Sequence, residues 1–208
     1  MKYDMLKFIL NSSEYFFINL HNTNDVIDCC YRTSIFLNLN NNQTEIANED
    51  IQEYSERFDL LLTLALSQEL KLHISIKKDL GFYWNQDMNE KNPAIFYEQG
   101  DGHLDWIGTK YLLWSTSGEA FQQFGTWLYN DKFGNIIFEV TPIYPKTFIN
   151  KEDPVEVKAY QEWMKKSYKP FYTRIIPKEV AEQWLKQCKL LLQTIHDNTK
   201  RLDEQEEL

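Results

Sequence analysis

The stretch TWLYNDKFGNIIFEVT, residues 126–141, predicts a β-hairpin. Its two halves are rich in aromatic and β-branched residues, and between them lies NDKFG, residues 130–134. An Asn or Asp early and a Gly last are typical of a short hairpin loop. Pro142 and Pro145 predict the end of the second strand. We therefore expect an antiparallel sheet in the middle of the chain.

Further strands are predicted on both sides of this hairpin. Residues 4–10 and 14–20 are short, apolar and rich in aromatics, and the NSS between them predicts a turn, so we expect a second hairpin. Residues 70–77 alternate apolar and polar side chains, which indicates a half-buried strand. Residues 107–115 also predict a strand. Residues 171–176 are either a short strand or an extended connector.

Helix signals fill much of the N-terminal half. Asn24 can cap free N–H groups and Asp25 favours the positive end of a helix dipole, which predicts a helix to about Leu37. A polar loop over 38–44 follows. The next helix has its apolar residues three or four positions apart on one face: Ile51, Tyr54, Phe58, Leu61, Leu62 and Ala65.

Two more helices are predicted near the C-terminus. Asp153 can cap a helix in which Pro154 takes the first turn and Glu156 lies three residues after the cap, and this helix extends to about Lys166. Pro177 opens the last helix, whose apolar positions are Val180, Trp184, Cys188, Leu191, Leu192 and Ile195. The acidic tail, residues 201–208, is expected to be flexible.

Length and composition point to one domain. The chain has 208 residues, of which 43% are apolar and 15% aromatic, enough for a substantial core. All seven glycines lie between residues 81 and 134, where the turns are expected. We expect residues 1–208 to form a single α+β domain, an antiparallel sheet with helices packed mainly on one side.

The net charge and the expected cellular location restrict the possible partners. The net charge is −9, which disfavours nucleic acid as a partner because such binding needs a basic surface. No apolar run reaches the roughly 20 residues that span a bilayer, so no membrane partner is expected. The N-terminus lacks a signal-peptide pattern and the three cysteines are an odd number, which indicates a cytoplasmic chain with reduced thiols. An acidic surface suits a basic protein partner, or serves only solubility.

Motifs for catalysis, metals and cofactors are weak. Asp101, His103 and Asp105 alternate along the chain and could hold a divalent ion, although a glycine-rich turn that leads into the next strand is the favoured interpretation. Ser115 and its neighbours resemble a turn more than a nucleophile site. The chain has neither a CxxC or HExxH motif nor a glycine-rich phosphate loop, so we expect no metal, no cofactor and no assigned catalytic residue.

Glu139 is the most unusual acidic residue. It shares a strand face with Ile137 and Thr141, and burial there would raise the pKa of its carboxyl. An ion pair with a Lys or Arg, or an exposed position on an edge strand, is the favoured interpretation.

The aromatic residues of the central segment suggest a binding surface. Tyr and Trp beside acidic groups make good anchors for a protein partner, and they could also line a pocket for a small molecule. The candidate partner-binding residues are Asp101, His103, Asp105, Trp106, Trp114, Trp127, Tyr129 and Glu139.

The blocks YLLWST (111–116), TWLYND (126–131) and GNIIFEVTP (134–142), with the final helix that begins IPKEV (176–180), resemble small bacterial immunity proteins of polymorphic toxin systems. The resemblance covers about half the chain. It implies a non-enzymatic protein that neutralises one cognate toxin, often a basic nuclease, by covering its active site. Two alternatives stay open: a small hydrolase or ligand-binding protein that uses Glu139 with the Asp101/His103/Asp105 region, and a self-associating module.

Overall fold

The computed structural model describes residues 5–20, 26–91, 97–100, 103–116, 123–146 and 149–206, without the side chains of 49, 97–100, 103–105 and 206. Over these residues the chain forms two four-stranded antiparallel sheets, a two-stranded sheet and four α-helices, which confirms the α+β class. The elements are β1 (Met5–Ile9), β2 (Glu14–Asn19), β3 (Arg32–Leu39), β4 (Asn42–Asp50), α1 (Ile51–Leu66), α2 (Leu80–Asn89), β5 (Tyr97–Gly100), β6 (His103–Trp106), β7 (Leu112–Ser115), β8 (Gln123–Asn130), β9 (Ile136–Ile143), α3 (Pro154–Lys166), β10 (Tyr172–Ile176) and α4 (Lys178–Glu206).

The first sheet is a meander in which β1 to β4 follow one another in chain order. Its predicted N-terminal hairpin is confirmed, with Phe8 opposite Phe16. The turn forms because the side-chain oxygen of Asn11 accepts hydrogen bonds from the backbone N–H groups of Ser13 and Glu14, each at 2.9 Å. This is the ordinary way in which an Asn side chain stabilises a tight turn.

The helix predicted from Asn24 to Leu37 is wrong. Residues 26–31 are irregular and β3 follows them, while 21–25 lie outside the described residues. Thr33, Ile35 and Leu37 are buried at alternate positions, which is the period of a strand. Pairing with β2 on one side and β4 on the other therefore outweighs the local helix-start signal.

The polar loop predicted over 38–44 is much shorter. Only Asn40 and Asn41 separate β3 from β4, and their φ angles are 51° and 68°. These values are those of a type I′ turn, which has positive φ at both central positions, and Asn tolerates that conformation better than most residues. Residues 42–44 instead begin β4, which pairs with β3.

The second sheet has the strand order β10-β9-β8-β7 and contains the central hairpin, which is confirmed. Gly134 closes its loop with a φ of 84°, and the Asp131 carboxylate accepts a hydrogen bond from the Phe133 N–H at 2.8 Å. Pro142 does not end β9, which continues to Ile143. It is tolerated because β10 pairs only with residues 136–140, so the missing N–H breaks no bond to β10.

Two further strand predictions need correction. The strand predicted at 70–77 is wrong, because the segment turns where the Ile76 N–H bonds to the His73 oxygen at 2.9 Å, leaving Ile74 82% exposed. The strand predicted at 107–115 begins only at Leu112, after a short 3-10 turn at Thr109–Tyr111.

Three of the predicted helices are confirmed as α1, α3 and α4. The Asp153 carboxylate caps α3 by accepting from the Val155 N–H at 2.8 Å. In α4 the backbone is helical through Glu206, into the tail that was expected to be flexible. Helix α2 was not predicted. Its Gly81 packs so closely on β9 that an added Cβ would lie 1.9 Å from Oγ1 of Thr141.

The main core lies between the two sheets, with Phe16 at its centre. The Phe16 ring stacks on Phe8 at 4.6 Å between centroids and on Phe138 of the second sheet at 5.6 Å. Helices α1 and α4 close this core with Phe58 and Trp184, whose ring centroids lie 5.5 Å and 5.1 Å from that of Phe16. One aromatic side chain therefore contacts both sheets and both helices.

Helix α2 covers the opposite face of the second sheet. The Leu80 N–H at its start bonds to Glu139 of β9, and Asn85 bonds to the Pro142 carbonyl oxygen at 3.0 Å. The second sheet is therefore packed on both faces. Because side chains along β8 and β9 alternate between these faces, they contribute to two different cores. Within the described residues, no helix has both the length and the apolar character needed to cross a bilayer.

Candidate functional site

The residues predicted to bind a partner are mostly interior. Asp101 lies outside the described residues, and His103 and Asp105 lie in β6, where only the backbone is described. The other five side chains are at most 8% exposed: Trp106, Trp114, Trp127, Tyr129 and Glu139. A partner that docks on the folded surface does not reach these five, so a binding surface must use other residues.

Three tryptophans meet on the outer face of the second sheet. The ring of Trp127 lies 5.8 Å from that of Trp84 in α2 and 6.0 Å from that of Trp106, between centroids. Trp114 is separate from this group, since it packs in the main core at 5.1 Å from Phe58. The aromatic residues of the central segment thus build two cores, which explains their abundance without a binding role.

Glu139 is buried in a paired strand, which contradicts both the expected ion pair and the expected edge position. Its side chain is 3% exposed, and β9 has a partner strand on each side at this residue. One carboxyl oxygen accepts from the Leu80 N–H at 3.0 Å and the other from the Tyr129 hydroxyl at 3.1 Å. Burial raises the pKa of Glu139 to about 7, against the lowering effect of these two hydrogen bonds.

A second carboxylate, Asp79, lies close to Glu139. Asp79 caps α2 by accepting from the Phe82 N–H at 2.8 Å, and it also accepts a hydrogen bond from the Tyr168 hydroxyl. Its charge contributes to the raised pKa of Glu139. Burial, followed by the charge of Asp79, raises the pKa of Tyr168, so this phenol stays protonated and serves as a donor. The sequence offered no signal that joins these residues, because they come from different elements.

This cluster can hold a proton near neutral pH, a property that acid–base catalysts share. Both Glu139 oxygens, however, already accept from groups of the chain itself, and the side chain is almost fully enclosed. The geometry matches a satisfied interior network better than a group aimed at a substrate.

An open groove of about 590 Å³ lies between α1 and β7. Glu53 and Glu56 project from α1 beside it and are exposed, as is Leu60, which is 47% exposed. The other wall is β7, the outermost strand of the second sheet. The sequence signal for this surface is the acidic polar side of α1. The aromatic residues of 106–129 were a stronger signal and directed the prediction to the central segment instead.

Arg57 fixes the floor of this groove. Its Nε donates to the Leu112 carbonyl oxygen at 2.8 Å, and its second guanidinium nitrogen donates to the oxygens of Thr109 and Lys110 at 3.1 Å and 3.0 Å. These bonds join α1 to the turn before β7. They leave the guanidinium charge without a carboxylate partner among the described ion pairs, and cover the start of β7 at Leu112.

Two sites therefore remain as candidates: the enclosed Glu139 cluster and the open α1–β7 groove. Within the described side chains, no group of three His, Cys, Asp or Glu residues is placed to hold a metal ion. The set of Asp101, His103 and Asp105 lies outside those side chains. Compared with known proteins, the chain matches no family model, no curated protein and no solved structure.

Proposed function

We propose that this chain is a non-enzymatic protein-binding domain that holds a basic segment of its partner in the α1–β7 groove. The observation that carries the proposal is the position of two exposed carboxylates, Glu53 and Glu56, and of exposed Leu60 beside an outer strand. An apolar contact at Leu60 beside the negative charges of Glu53 and Glu56 favours a partner with basic and apolar side chains. The net charge of −9 speeds the encounter with such a partner.

The strand edge suggests how the partner binds. Within the part of the chain that the structure describes, strand β7 pairs only with β8, and Arg57 caps its start at Leu112. Leu113 and Trp114 are buried, so an extended partner segment contacts this strand only at the half-buried Leu112 and Ser115. The α1 carboxylates then select basic side chains on that segment.

An immunity function is the specific form of this proposal. Neutralising a toxin needs a tight one-to-one complex and no chemistry of its own, and many toxin domains that act on nucleic acids are basic because their substrates are acidic. The resemblance of the central blocks and of the start of α4 to immunity proteins of polymorphic toxin systems supports this assignment. We expect the complex to form in the cytoplasm.

The alternative of a hydrolase centred on Glu139 has one supporting observation, the raised pKa of its carboxyl. The enclosure of this side chain and the two internal donors at its oxygens weigh against it. A hydrolase loses its activity in the Glu139→Gln variant, whereas a binding protein keeps its affinity for its partner. The two functions are therefore separable in one variant.

The direct test takes as partner a toxin domain encoded beside this gene, with binding measured by calorimetry and protection measured by growth on co-expression; the lack of any such toxin gene would count against the immunity function. We expect Glu53→Lys with Glu56→Lys to weaken binding roughly tenfold or more, since two attractions become repulsions. The matched control is Glu69→Lys with Glu179→Lys, which makes the same change in net charge at exposed positions outside the groove. Equal losses in both pairs would reduce the groove to one part of a general acidic surface. Absence of binding to that toxin by the unaltered chain would overturn the immunity function.

A further inference from the structure

Two adjacent thiols lie together on the surface. The sulfur atoms of Cys29 and Cys30 are 3.5 Å apart, Cys30 is exposed and Cys29 is half-buried. Cys188, the third cysteine, is buried in the main core and bonds to the Ser55 carbonyl oxygen. The pair is therefore accessible to a reagent, and Cys188 provides an internal comparison.

The backbone around the pair is fixed by hydrogen bonds. The Cys29 N–H donates to the Thr199 hydroxyl of α4 at 3.1 Å, and the Cys30 N–H donates to the Asp28 carboxylate at 3.0 Å. Asn198 of α4 donates to the Ile27 carbonyl oxygen at 3.0 Å. Both cysteine N–H groups thus have partners in an ordered turn, and the 3.5 Å between the sulfurs places the two side chains together.

Direct oxidation of this pair to a disulfide is unfavourable. Adjacent residues have Cα atoms about 3.8 Å apart across a trans peptide, closer than the roughly 4.4 Å at which ordinary disulfides begin. The two sulfurs would also have to approach from 3.5 Å to bonding distance. A bridging ion requires no such approach, because sulfurs bound at about 2.3 Å from an ion and 3.5 Å from each other subtend an angle of about 100°.

We propose that Cys29 and Cys30 form a two-sulfur site for a soft, thiophilic metal or metalloid ion, with trivalent arsenic as its simplest probe. Thiolate ligands are the ones that select such ions. With phenylarsine oxide, two As–S bonds form, the two thiol protons leave with the arsenic-bound oxygen as water, and arsenic stays trivalent. The step therefore needs no oxidant or reductant.

The surroundings of the pair favour a cation. The hydrogen bond with Cys29 raises the pKa of the Cys30 thiol, and the charges of Asp28 and Asp50 raise it further. These carboxylates attract a cationic metal ion, whereas the neutral arsenic probe is held by the two sulfurs alone.

The test treats the full chain with one equivalent of phenylarsine oxide, then with an excess of a monothiol, and measures the intact mass. We expect the unaltered chain and Cys188→Ser to retain one phenylarsenic group, which dimercaptopropanol removes. Cys29→Ser and Cys30→Ser should each lose it, because the second sulfur strengthens retention by roughly 10²-fold or more.

Either of two results would overturn the proposal. One is removal of the adduct from the unaltered chain by the monothiol, as expected for a single sulfur. The other is retention of the adduct in both Cys29→Ser and Cys30→Ser. Circular dichroism of each variant shows that the chain stays folded, and the exposed position of Cys30 makes its Ser variant the safer of the two.

Discussion

The hydroxyl of Tyr129 donates a hydrogen bond to the carboxyl of Glu139 at 3.1 Å between the neighbouring strands β8 and β9. This bond and the one from the Leu80 N–H hold an acidic side chain in the interior. Two hydrogen bonds only partly offset the cost of burying the charge, so the pKa of the carboxyl is raised to about 7. The folded chain therefore carries a proton that the unfolded chain releases at a lower pH.

Glu139→Gln should change the pH dependence of stability. The pKa of the Glu139 carboxyl is about 7 in the folded chain and 4.5 in the unfolded chain, so its contribution is complete below pH 4.5 and is lost as the pH rises to 7. The loss amounts to about 3 kcal/mol of unfolding free energy. The Gln variant, which mimics the protonated carboxyl, should match the unaltered chain near pH 4 and exceed its stability by about that amount near pH 8.

Urea unfolding at a series of pH values measures this difference. Other groups that face Glu139, chiefly Asp79, Tyr129 and Tyr168, are present in both proteins, so their common effects largely cancel. Glu162→Gln on the exposed surface of α3 should show no such divergence. Parallel pH curves for Glu139→Gln and the unaltered chain would show that Glu139 is ionised in the folded state near neutral pH.

Phe16→Ala should be one of the most destabilising single substitutions in the chain. Phe16 is 1% exposed and touches rings from both sheets, α1 and α4. Removing a buried Phe side chain costs about 3–5 kcal/mol, because the cavity adds to the lost transfer energy. Ile175→Ala, at a residue 57% exposed on β10, should cost less than about 1 kcal/mol. Chemical unfolding of both variants checks this, and similar losses would show that the two sheets do not share one core.

The sequence predicts the core-facing helices well because a wide apolar stripe leaves few alternatives. The six apolar residues predicted to line one face of the first long helix are all buried in α1. Residues 32–37 mislead because the cap signal at Asn24 and Asp25 is local, whereas the strand depends on pairing with segments on both sides. The only trace that such non-local pairing leaves in the sequence is an apolar residue at every second position. At 70–77 the same alternation occurs without a strand.

The candidate site was harder to predict than the fold. Glu139 stood out because its strand neighbours are apolar. Its donor Leu80, the nearby Asp79, and Tyr168, which bonds to Asp79, all lie far away in sequence. Leu80 and Asp79 lie at the start of helix α2, which was not predicted because Gly81 is a residue typical of turns. Here Gly81 instead permits close packing on Thr141. Burial of a polar side chain is decided by such packing, which no single stretch of sequence contains.

Arg57→Lys should destabilise the chain although it keeps the charge. The guanidinium of Arg57 reaches three carbonyl oxygens at once, at Thr109, Lys110 and Leu112. A lysine ammonium lacks the planar fork and leaves the part-buried Leu112 oxygen unpaired, at a cost of about 1 kcal/mol. Arg32→Lys, at a side chain 73% exposed, is the matched control and should be nearly neutral. A stability of Arg57→Lys equal to that of the unaltered chain in urea would contradict this role for the guanidinium.

Gly134→Ala should destabilise the central hairpin for two separable reasons. A φ of 84° strains any residue with a Cβ by roughly 1–2 kcal/mol, and the added Cβ would lie 2.6 Å from the side-chain oxygen of Gln68. Gln68→Ala removes that contact together with its hydrogen bond to the Gly134 carbonyl oxygen. In a double-mutant cycle of these two changes, the clash is measured by the coupling energy between them. The backbone strain is measured by the stability that Gly134→Ala still loses in the Gln68→Ala background. Urea unfolding of the four proteins measures both terms, and no loss of stability in Gly134→Ala on either background would mean that this loop does not require positive φ.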